Sequence, residues 1–213
     1  MNLKHNIDDV QLKKVANIIK QGGIAIFPTE TVYGIGTNGL NEESVKKLYE
    51  VKQRPLNKPI SLLVNGIEMI NKIAKDITNL EYELIKKFFP GPLTIILKKK
   101  DIVPNILTSN SDTVGVRMPA NKIALKLIEY SGVPIATPSA NISGKPSGTN
   151  INDIMKDFKG KVDYFIDDGP SKMPISSTVV QVVNGIPNIL REGIIKEEQI
   201  KEVYLKFLNE NNI

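Results

Sequence analysis

Short apolar segments with strand character alternate with amphipathic helical patterns along the chain, and this alternation restricts its fold more than any other feature. Such an order is typical of an α/β fold, in which helices cover a sheet. The patterns predict helices over residues 9–21, 41–53, 78–89, 121–131, 150–158 and 196–208, and strands over residues 24–28, 60–64, 93–97, 113–118, 133–137, 162–167, 177–183 and 186–192.

The last two predicted strands flank Asn184-Gly185, which is the strongest short-range signal for a hairpin. Strands joined by a tight hairpin run antiparallel, so the sheet is not purely parallel. No linker or internal repeat divides the chain. We therefore expect one α/β domain over residues 1–213, with a twisted mixed sheet of parallel and antiparallel strands and flanking helices.

The composition excludes several kinds of chemistry. The 213 residues are 41% hydrophobic, so the chain supports a substantial core. The absence of cysteine rules out disulfides, thiolate metal sites and a cysteine nucleophile. The single histidine, His5, lies so near the terminus that we do not expect it to act as a catalytic base.

The charge balance suits a protein that handles anions. The chain has 28 lysines and arginines against 23 aspartates and glutamates, a formal net charge of +5. This excess is too small to establish nucleic-acid binding by itself. No apolar run approaches the length of a membrane span. We expect a cytoplasmic protein that does not contact membranes.

The glycines of "GIGTNG" (34–39) match a dinucleotide-binding pattern, but their context argues against that function. The helix predicted after them opens with Glu42 and Glu43. Carboxylates in a first turn occupy the place where a pyrophosphate needs the positive end of the helix dipole. We therefore interpret these glycines as turn formers. A Gly-Lys-Ser/Thr phosphate loop is also absent from the sequence.

The segment "KQRPLNKP" (52–59) carries Lys52, Arg54 and Lys58. Pro55 disfavours helical geometry at the residue before it, so the preceding helix should end near Arg54. Arg54 and Lys58 then lie on a loop that two prolines stiffen. The loop either presents its cations to an anion or is simply solvated, and its own sequence leaves both interpretations open.

Two other segments offer short polar side chains at predicted strand ends, where open α/β sheets tend to bind ligands. "PTETVYG" (28–34) contains Thr31, whose hydroxyl either bonds to nearby backbone or holds a polar ligand. "ATPSANISGKPSG" (136–148) is rich in hydroxyls and glycines that suit phosphate or ribose oxygens. Together with Arg117 and Arg191, these segments predict a polyanion pocket. The acidic residues are not clustered, so we expect any Mg²⁺ to arrive with a nucleoside triphosphate.

The segments "PTETVYGIG", "KQRPLNKP", "TPSANISG", "SSTVV" and "LREG", in this order, resemble the YrdC-like threonylcarbamoyl-AMP synthase family, in its short, single-domain, TsaC-like form. The resemblance covers residues 10–195. It implies a twisted α/β sheet with a concave basic cavity. It also implies a nucleotidyltransferase that condenses L-threonine, bicarbonate and ATP into threonylcarbamoyl-AMP and pyrophosphate. The product would serve the N6-threonylcarbamoyladenosine modification of tRNA.

The resemblance assigns roles by position. It implies that Lys52 and Arg54 are catalytic. It implies a threonine site formed by Thr31, Arg117, Thr137 and Ser177. It implies a nucleotide site formed by Arg54, Lys58, Thr113, Ser139, Asn141, Ser147 and Arg191, with no metal ligand from the protein. Tyr33 is expected to line the cavity. Leu63 stands where some members carry a histidine that contacts threonine.

The implied chemistry agrees with the missing cysteine and the single remote histidine. A carbamate formed on the amine of threonine is already anionic, so its attack on the α-phosphorus needs no strong base. Alignment and charge neutralisation by fixed cations can then supply the catalysis.

Two other functions remain open at the level of sequence. One is carbamoyl transfer of the HypF kind, although the longer chain of such proteins carries further segments that do not fit here. The other is contact with tRNA or double-stranded RNA, although aromatic platforms typical of RNA readers are scarce. For the synthase itself, the expected partner is a downstream tRNA threonylcarbamoyl transferase complex.

Overall fold

The computed structural model describes residues 7–148, 150–171 and 175–212, so the expectation for His5 lies outside the described residues. Within these ranges, seven helices flank one sheet of nine strands. The helices are α1 (Asp9–Lys20), α2 (Glu42–Lys52), α3 (Ile67–Ile73), α4 (Asn79–Phe88), α5 (Lys122–Ser131), α6 (Ile151–Phe158) and α7 (Glu197–Asn211). The strands are β1 (Ala25–Phe27), β2 (Gly34–Asn38), β3 (Leu62–Leu63), β4 (Leu93–Lys98), β5 (Thr113–Arg117), β6 (Ile135–Ala136), β7 (Tyr164–Phe165), β8 (Thr178–Val183) and β9 (Ile186–Arg191).

The sheet mixes both strand orientations, as the sequence predicts. Its order is β7-β1-β2-β6-β3-β5-β4-β8-β9. The pairs β1/β7, β3/β5 and β4/β8 are parallel, and the other adjacent pairs are antiparallel. The hairpin predicted at Asn184-Gly185 joins β8 to β9, and both residues have positive φ. The prediction of a mixed α/β sheet is confirmed.

The helix boundaries follow local signals in the sequence. The Asn41 side chain accepts a hydrogen bond from Ser44 N and begins α2, and Gln53 ends it in the left-handed region at φ 51°. The chain therefore leaves the helix just before Arg54 and Pro55, as the proline predicts. Thr78 and Glu81 form the expected capping box at α4. Helix α7 ends three residues later than predicted. None of the described helices is long and apolar enough to cross a membrane.

The interpretation of the 34–39 glycines as turn formers is wrong for Gly34 and Gly36, whereas Gly39 lies in the turn after β2. Gly34 and Gly36 lie inside strand β2. A Cβ atom at Gly34 would stand 2.5 Å from Thr137 Cγ2, and one at Gly36 would stand 2.7 Å from Ile135 Cγ2. Glycine is needed at both positions because the side chains of Ile135 in β6 and of Thr137 just after it pack directly against the backbone of β2. The sequence analysis also missed α3.

Several strands are shorter than predicted near the middle of the sheet. β6 covers only Ile135–Ala136, although the predicted strand ran to residue 137. Beyond it, Thr137 N donates to Ser61 O at 3.0 Å, and Pro138 O accepts from Ile35 N at 3.1 Å. The backbone therefore stays hydrogen-bonded while it leaves the regular ladder. This departure carries residues 137–139 towards the cavity described next.

Candidate functional site

A cavity of about 340 Å³ lies on one face of the sheet. Its floor is made of alternate residues of neighbouring strands, such as Thr94 and Ile96 of β4, because alternate side chains of a strand point to the same face. The cavity also reaches the strand ends that the sequence predicted, because Arg117 and Arg191 are the last residues of β5 and β9 and Thr137 follows β6. The lining residues are Thr31, Val32, Arg54, Pro59, Ile60, Ser61, Leu63, Thr94, Ile96, Arg117, Thr137, Pro138, Ser139, Ser176, Ser177, Val179, Leu190 and Arg191.

Three arginines from distant parts of the chain line this cavity, and each is anchored in a similar way. Arg54 donates from Nε to Lys58 O at 2.9 Å and from Nη2 to Pro59 O at 2.8 Å. Arg191 donates from Nε and Nη2 to Ser177 O, at 3.2 and 2.8 Å.

Arg117, on β5, donates from Nε to Gly91 O at 3.3 Å and from Nη2 to Thr31 Oγ1 at 3.1 Å. In these hydrogen bonds the donors are Nε and Nη2 of each arginine and not Nη1. The Tyr49 hydroxyl also interacts with Arg54. The protein thus fixes each guanidinium by one edge and leaves one nitrogen available for a ligand.

The three guanidinium groups are close enough to affect one another. Burial lowers the pKa of Arg191, and the positive charges of Arg117 and Arg54 lower that pKa further. Burial likewise lowers the pKa of Arg54. Arg191 is exposed overall, at the mouth of the cavity, but its guanidinium group turns back against Ser177 O. An anion bound between these groups would relieve their mutual repulsion.

Arg117 has a carboxylate partner that the sequence analysis did not identify. Glu30 Oε1 lies 2.7 Å from Arg117 Nη2, and both side chains are only 10% exposed. No N–H or O–H of the described residues is directed at either carboxylate oxygen in hydrogen-bond geometry. The contact is therefore an ion pair held by charge. Glu30 sits between two threonines in the "PTET" segment, and that position is the only signal the sequence offers.

Hydroxyl groups surround the cations. Thr31, Thr137, Ser139 and Ser177 all line the cavity, as the polyanion-pocket interpretation requires of side chains that share one site. Ser177 Oγ lies 2.9 Å from Thr94 Oγ1 in a buried pair. The sequence analysis missed Thr94, because it lies within an otherwise apolar strand. Leu63 also lines the cavity and adds an apolar side chain to its wall.

Lys52 lies beneath the 139–141 loop and does not line the cavity. Its side chain is 1% exposed, and Nζ donates to Ser139 O at 2.6 Å and to Asn141 O. Burial lowers the pKa of Lys52 to about 7, and repulsion by Arg54 adds to this effect. The geometry favours a residue that holds the loop in place, and the catalytic role of Lys52 stays a prediction.

Other expected site residues lie outside the cavity lining. Lys58 has an exposed side chain, and its carbonyl rather than its ammonium group serves the site by anchoring Arg54. Asn141 donates to the carbonyls of Ile142 and Lys145, so it shapes the loop. Ser147 is half-buried further along the same loop. Thr113 lines an adjoining hollow of about 170 Å³ that shares walls with the cavity.

Tyr33 does not line the cavity, which corrects the sequence expectation. Its side chain is 1% exposed. The hydroxyl donates to Gly169 O at 2.6 Å and accepts from Asp168 N at 3.0 Å. Burial raises the pKa of Tyr33 to about 12. The residue therefore anchors the segment after β7 and remains neutral.

A second groove, of about 370 Å³, lies between β9 and α7. It is slightly larger than the cavity, but its lining contains only one basic and one acidic side chain, Lys201 and Glu197, among mainly apolar or amide neighbours. Because convergent charged groups distinguish ligand sites from surface grooves, the arginine-lined cavity is the better candidate.

The fold and the cavity define an α/β protein whose sheet carries a cavity lined by three arginines and several hydroxyl side chains. The Sua5/YciO/YrdC family model, described as "Telomere recombination", matches residues 17–193, and the chain belongs to this family. Threonylcarbamoyl-AMP synthase of Pyrococcus abyssi is 43% identical over 203 residues, which are 95% of this chain and 60% of the relative. A putative threonylcarbamoyl-AMP synthase of Methanocaldococcus jannaschii is 40% identical, with 92% of this chain and 94% of the relative covered.

The solved structures agree with this family assignment. P. abyssi Sua5 in complex with L-threonine superimposes with a TM-score of 0.92 at 42% identity, over 95% of this chain and 61% of that chain. Escherichia coli YciO gives a TM-score of 0.82 at 24% identity over 93% of this chain and 96% of that chain, which supports the fold alone. The chain spans about 60% of the length of the P. abyssi relative.

Proposed function

We propose that the chain is an L-threonylcarbamoyladenylate synthase, a nucleotidyltransferase that makes threonylcarbamoyl-AMP and pyrophosphate from L-threonine, bicarbonate and ATP. One observation carries the proposal: three anchored arginines, each with an available nitrogen, meet hydroxyl side chains in a single cavity. The volume lies within the range of about 300–1,000 Å³ that is usual for small-molecule sites. The similarity to threonylcarbamoyl-AMP synthases supports the same function.

The amino acid would occupy the end of the cavity next to Arg117. Nη1 of Arg117 would donate to the threonine carboxylate, since its other nitrogens are engaged by the protein. Thr31 lies beside Arg117, and Thr137 and the Thr94–Ser177 pair offer further hydroxyls in the same cavity. The Sua5 relative is described with L-threonine bound, which supports the choice of amino acid.

The nucleotide would occupy the other end. Arg54 and Arg191 would bind the phosphate oxygens, with the hydroxyl of Ser139 beside them. The adjoining hollow, with Ile60, Ile96 and Thr113 in its walls, would receive the base. Among the described residues, no group of three acidic or imidazole side chains could hold a metal ion. Mg²⁺ would therefore enter as MgATP, in which it neutralises phosphate charge.

The reaction is balanced without a catalytic base from cysteine or histidine. The amine of threonine combines with bicarbonate, forms the N–C bond of a carbamate and releases water. A carbamate oxygen then attacks the α-phosphorus, the bond from that phosphorus to the bridging oxygen breaks, and pyrophosphate leaves. Arg54 and Arg191 would stabilise the negative charge that develops on the phosphate oxygens. We place the reaction in the cytoplasm, with a tRNA threonylcarbamoyl transferase complex as the consumer of the product.

The deciding experiment incubates the chain with ATP, Mg²⁺, bicarbonate and labelled threonine. We expect pyrophosphate release that depends on threonine and labelled threonylcarbamoyl-AMP as the product. Pyrophosphate release that depends on carbamoyl phosphate instead would indicate a carbamoyl transfer function. Tight binding of double-stranded RNA or tRNA without pyrophosphate release would indicate an RNA-binding protein. Either result would overturn the proposal.

A further inference from the structure

The charges in the cavity are arranged asymmetrically. Arg117 forms an ion pair with buried Glu30, at 2.7 Å. Across residues 7–148, 150–171 and 175–212, neither Arg54 nor Arg191 forms an ion pair, because their protein partners are carbonyl and hydroxyl oxygens. One cation of the cavity is therefore compensated by a carboxylate, and the other two are not.

The Glu30 carboxylate has no other visible use in the described structure. The side chain is only 10% exposed, yet neither of its oxygens receives a hydrogen bond in good geometry. A buried acceptor without a donor is unfavourable and rare in native proteins. Arg117 is already oriented by Gly91 O and Thr31 Oγ1. The charge of Glu30, rather than its hydrogen bonding, is the property that the site retains.

That charge changes which anions Arg117 can accept. Nη1 of Arg117 still offers hydrogen bonds to a single carboxylate, such as that of a zwitterionic amino acid. A polyphosphate carries several negative charges and would be repelled by Glu30 at close range in a partly desolvated cavity. Arg54 and Arg191 impose no such repulsion.

We propose that Glu30 is a specificity-determining residue that excludes phosphate groups from the amino-acid end of the cavity. It directs the triphosphate to Arg54 and Arg191 and keeps Arg117 for a carboxylate. The proposal rests on the function proposed above, and it adds the residue that keeps phosphate away from Arg117. Glu30 acts through Arg117 and through its own field, so it is a positioning residue.

The test compares the wild-type chain with Glu30→Gln, which keeps the side-chain shape and removes the charge. Glu68→Gln, at an exposed position of α3, is the matched control for the same loss of one negative charge. Calorimetric titration with inorganic phosphate and with tripolyphosphate counts the phosphate sites on each protein. The apparent KM for threonine is then measured with and without inorganic phosphate.

We expect one phosphate-binding site on the wild type and on Glu68→Gln, and a second site on Glu30→Gln. In Glu30→Gln, inorganic phosphate should raise the apparent KM for threonine about tenfold, whereas the wild type should show little change. Equal numbers of phosphate sites on all three proteins would overturn the proposal. A KM for threonine that rises in Glu30→Gln without phosphate dependence would show that Glu30 only supports Arg117, and would overturn it too.

Two further readouts keep the outcome decisive. If Glu30→Gln fails to fold, as judged by circular dichroism, Glu30→Ala is titrated in its place. On the wild type, threonine and tripolyphosphate should bind at the same time. Competition between them would refute the proposal. If the wild type releases no threonine-dependent pyrophosphate, the proposed function fails, and the count of phosphate sites still tests the role of Glu30.

Discussion

The cavity floor and the space beneath residues 139–141 both contain buried cations, and they use them differently. The guanidinium groups of Arg117, Arg54 and Arg191 are each held by protein acceptors along one edge, and Nη1 is not used in these hydrogen bonds. Lys52 donates to two backbone carbonyls inside the protein and does not reach the cavity. The comparison shows that two cations of one short Lys-Gln-Arg motif can have different roles, since Arg54 lines the cavity and Lys52 supports the 139–141 loop.

The largest expected effect comes from removing a cavity arginine. Arg54→Ala should lower threonine-dependent pyrophosphate release by about 10²–10³-fold, because it removes a fixed donor to developing negative charge. The matched control is Lys58→Ala, which removes one positive charge from the same loop at an exposed side chain outside the cavity lining. Steady-state kinetics measure both. An equal loss in the two variants would mean that net charge, not the anchored guanidinium, matters.

A smaller effect, on stability, is expected from the cation beneath the loop. Lys52→Met should lower the free energy of unfolding by about 1–3 kcal/mol, because Ser139 O and Asn141 O lose their donor. Lys47→Met, at an exposed position of the same helix, should change it little. Chemical denaturation gives both values. A Lys52→Met protein as stable as the wild type but inactive would instead favour direct catalysis by Lys52.

The same lysine predicts a pH dependence. Burial lowers the folded-state pKa of Lys52 to about 7, below its ordinary value of 10.5. Between these values the unfolded chain binds a proton that the folded chain lacks, so stability should rise with pH relative to Lys52→Met. The slope is at most about 1.4 kcal/mol per pH unit, and it vanishes well below pH 7. A constant difference between the two proteins from pH 7 to 9 would show that the two carbonyls keep the ammonium charged.

The smallest expected effect belongs to Tyr33, which the sequence placed in the cavity and the structure does not. Tyr33→Phe should cost about 1 kcal/mol of stability, because Gly169 O and Asp168 N lose their partner. The KM for threonine should stay unchanged. Tyr204→Phe, at a half-buried position beside the second groove, is the control. A large rise in KM in Tyr33→Phe alone would restore Tyr33 to the site.

The sequence predicts those parts of the molecule that depend on local signals. Pro55 marks the end of α2, Thr78 and Glu81 mark the start of α4, and Asn184-Gly185 marks the hairpin. Strand β2 was not predicted, because its glycines are required by contacts with Ile135 and Thr137. Those residues are about a hundred positions away, so no local pattern reveals the contacts.

In the candidate site, too, the local signals could be predicted and the long-range contacts could not. Its arginines and hydroxyls stand out as motifs, but their pairing depends on long-range packing. Thr94 meets Ser177 across 83 positions of sequence, and Arg117 meets Thr31 across 86. Glu30 is only one acidic residue among many until the fold brings it to Arg117. The orientation of Lys52 likewise depends on the path of a loop more than eighty residues away.

The pairing of β8 with β4 has a consequence for synthesis of the protein. Ser177 directly precedes the β8–β9 hairpin, and Arg191 is the last residue of that hairpin. Strand β8 pairs with β4 in parallel. A nascent chain on the ribosome can build β1 to β7 first, since folding proceeds from the N-terminal side as the chain emerges. Until the hairpin docks, one wall and one of the three arginines are missing. The cavity is thus complete only after the ribosome has translated residues 177–191.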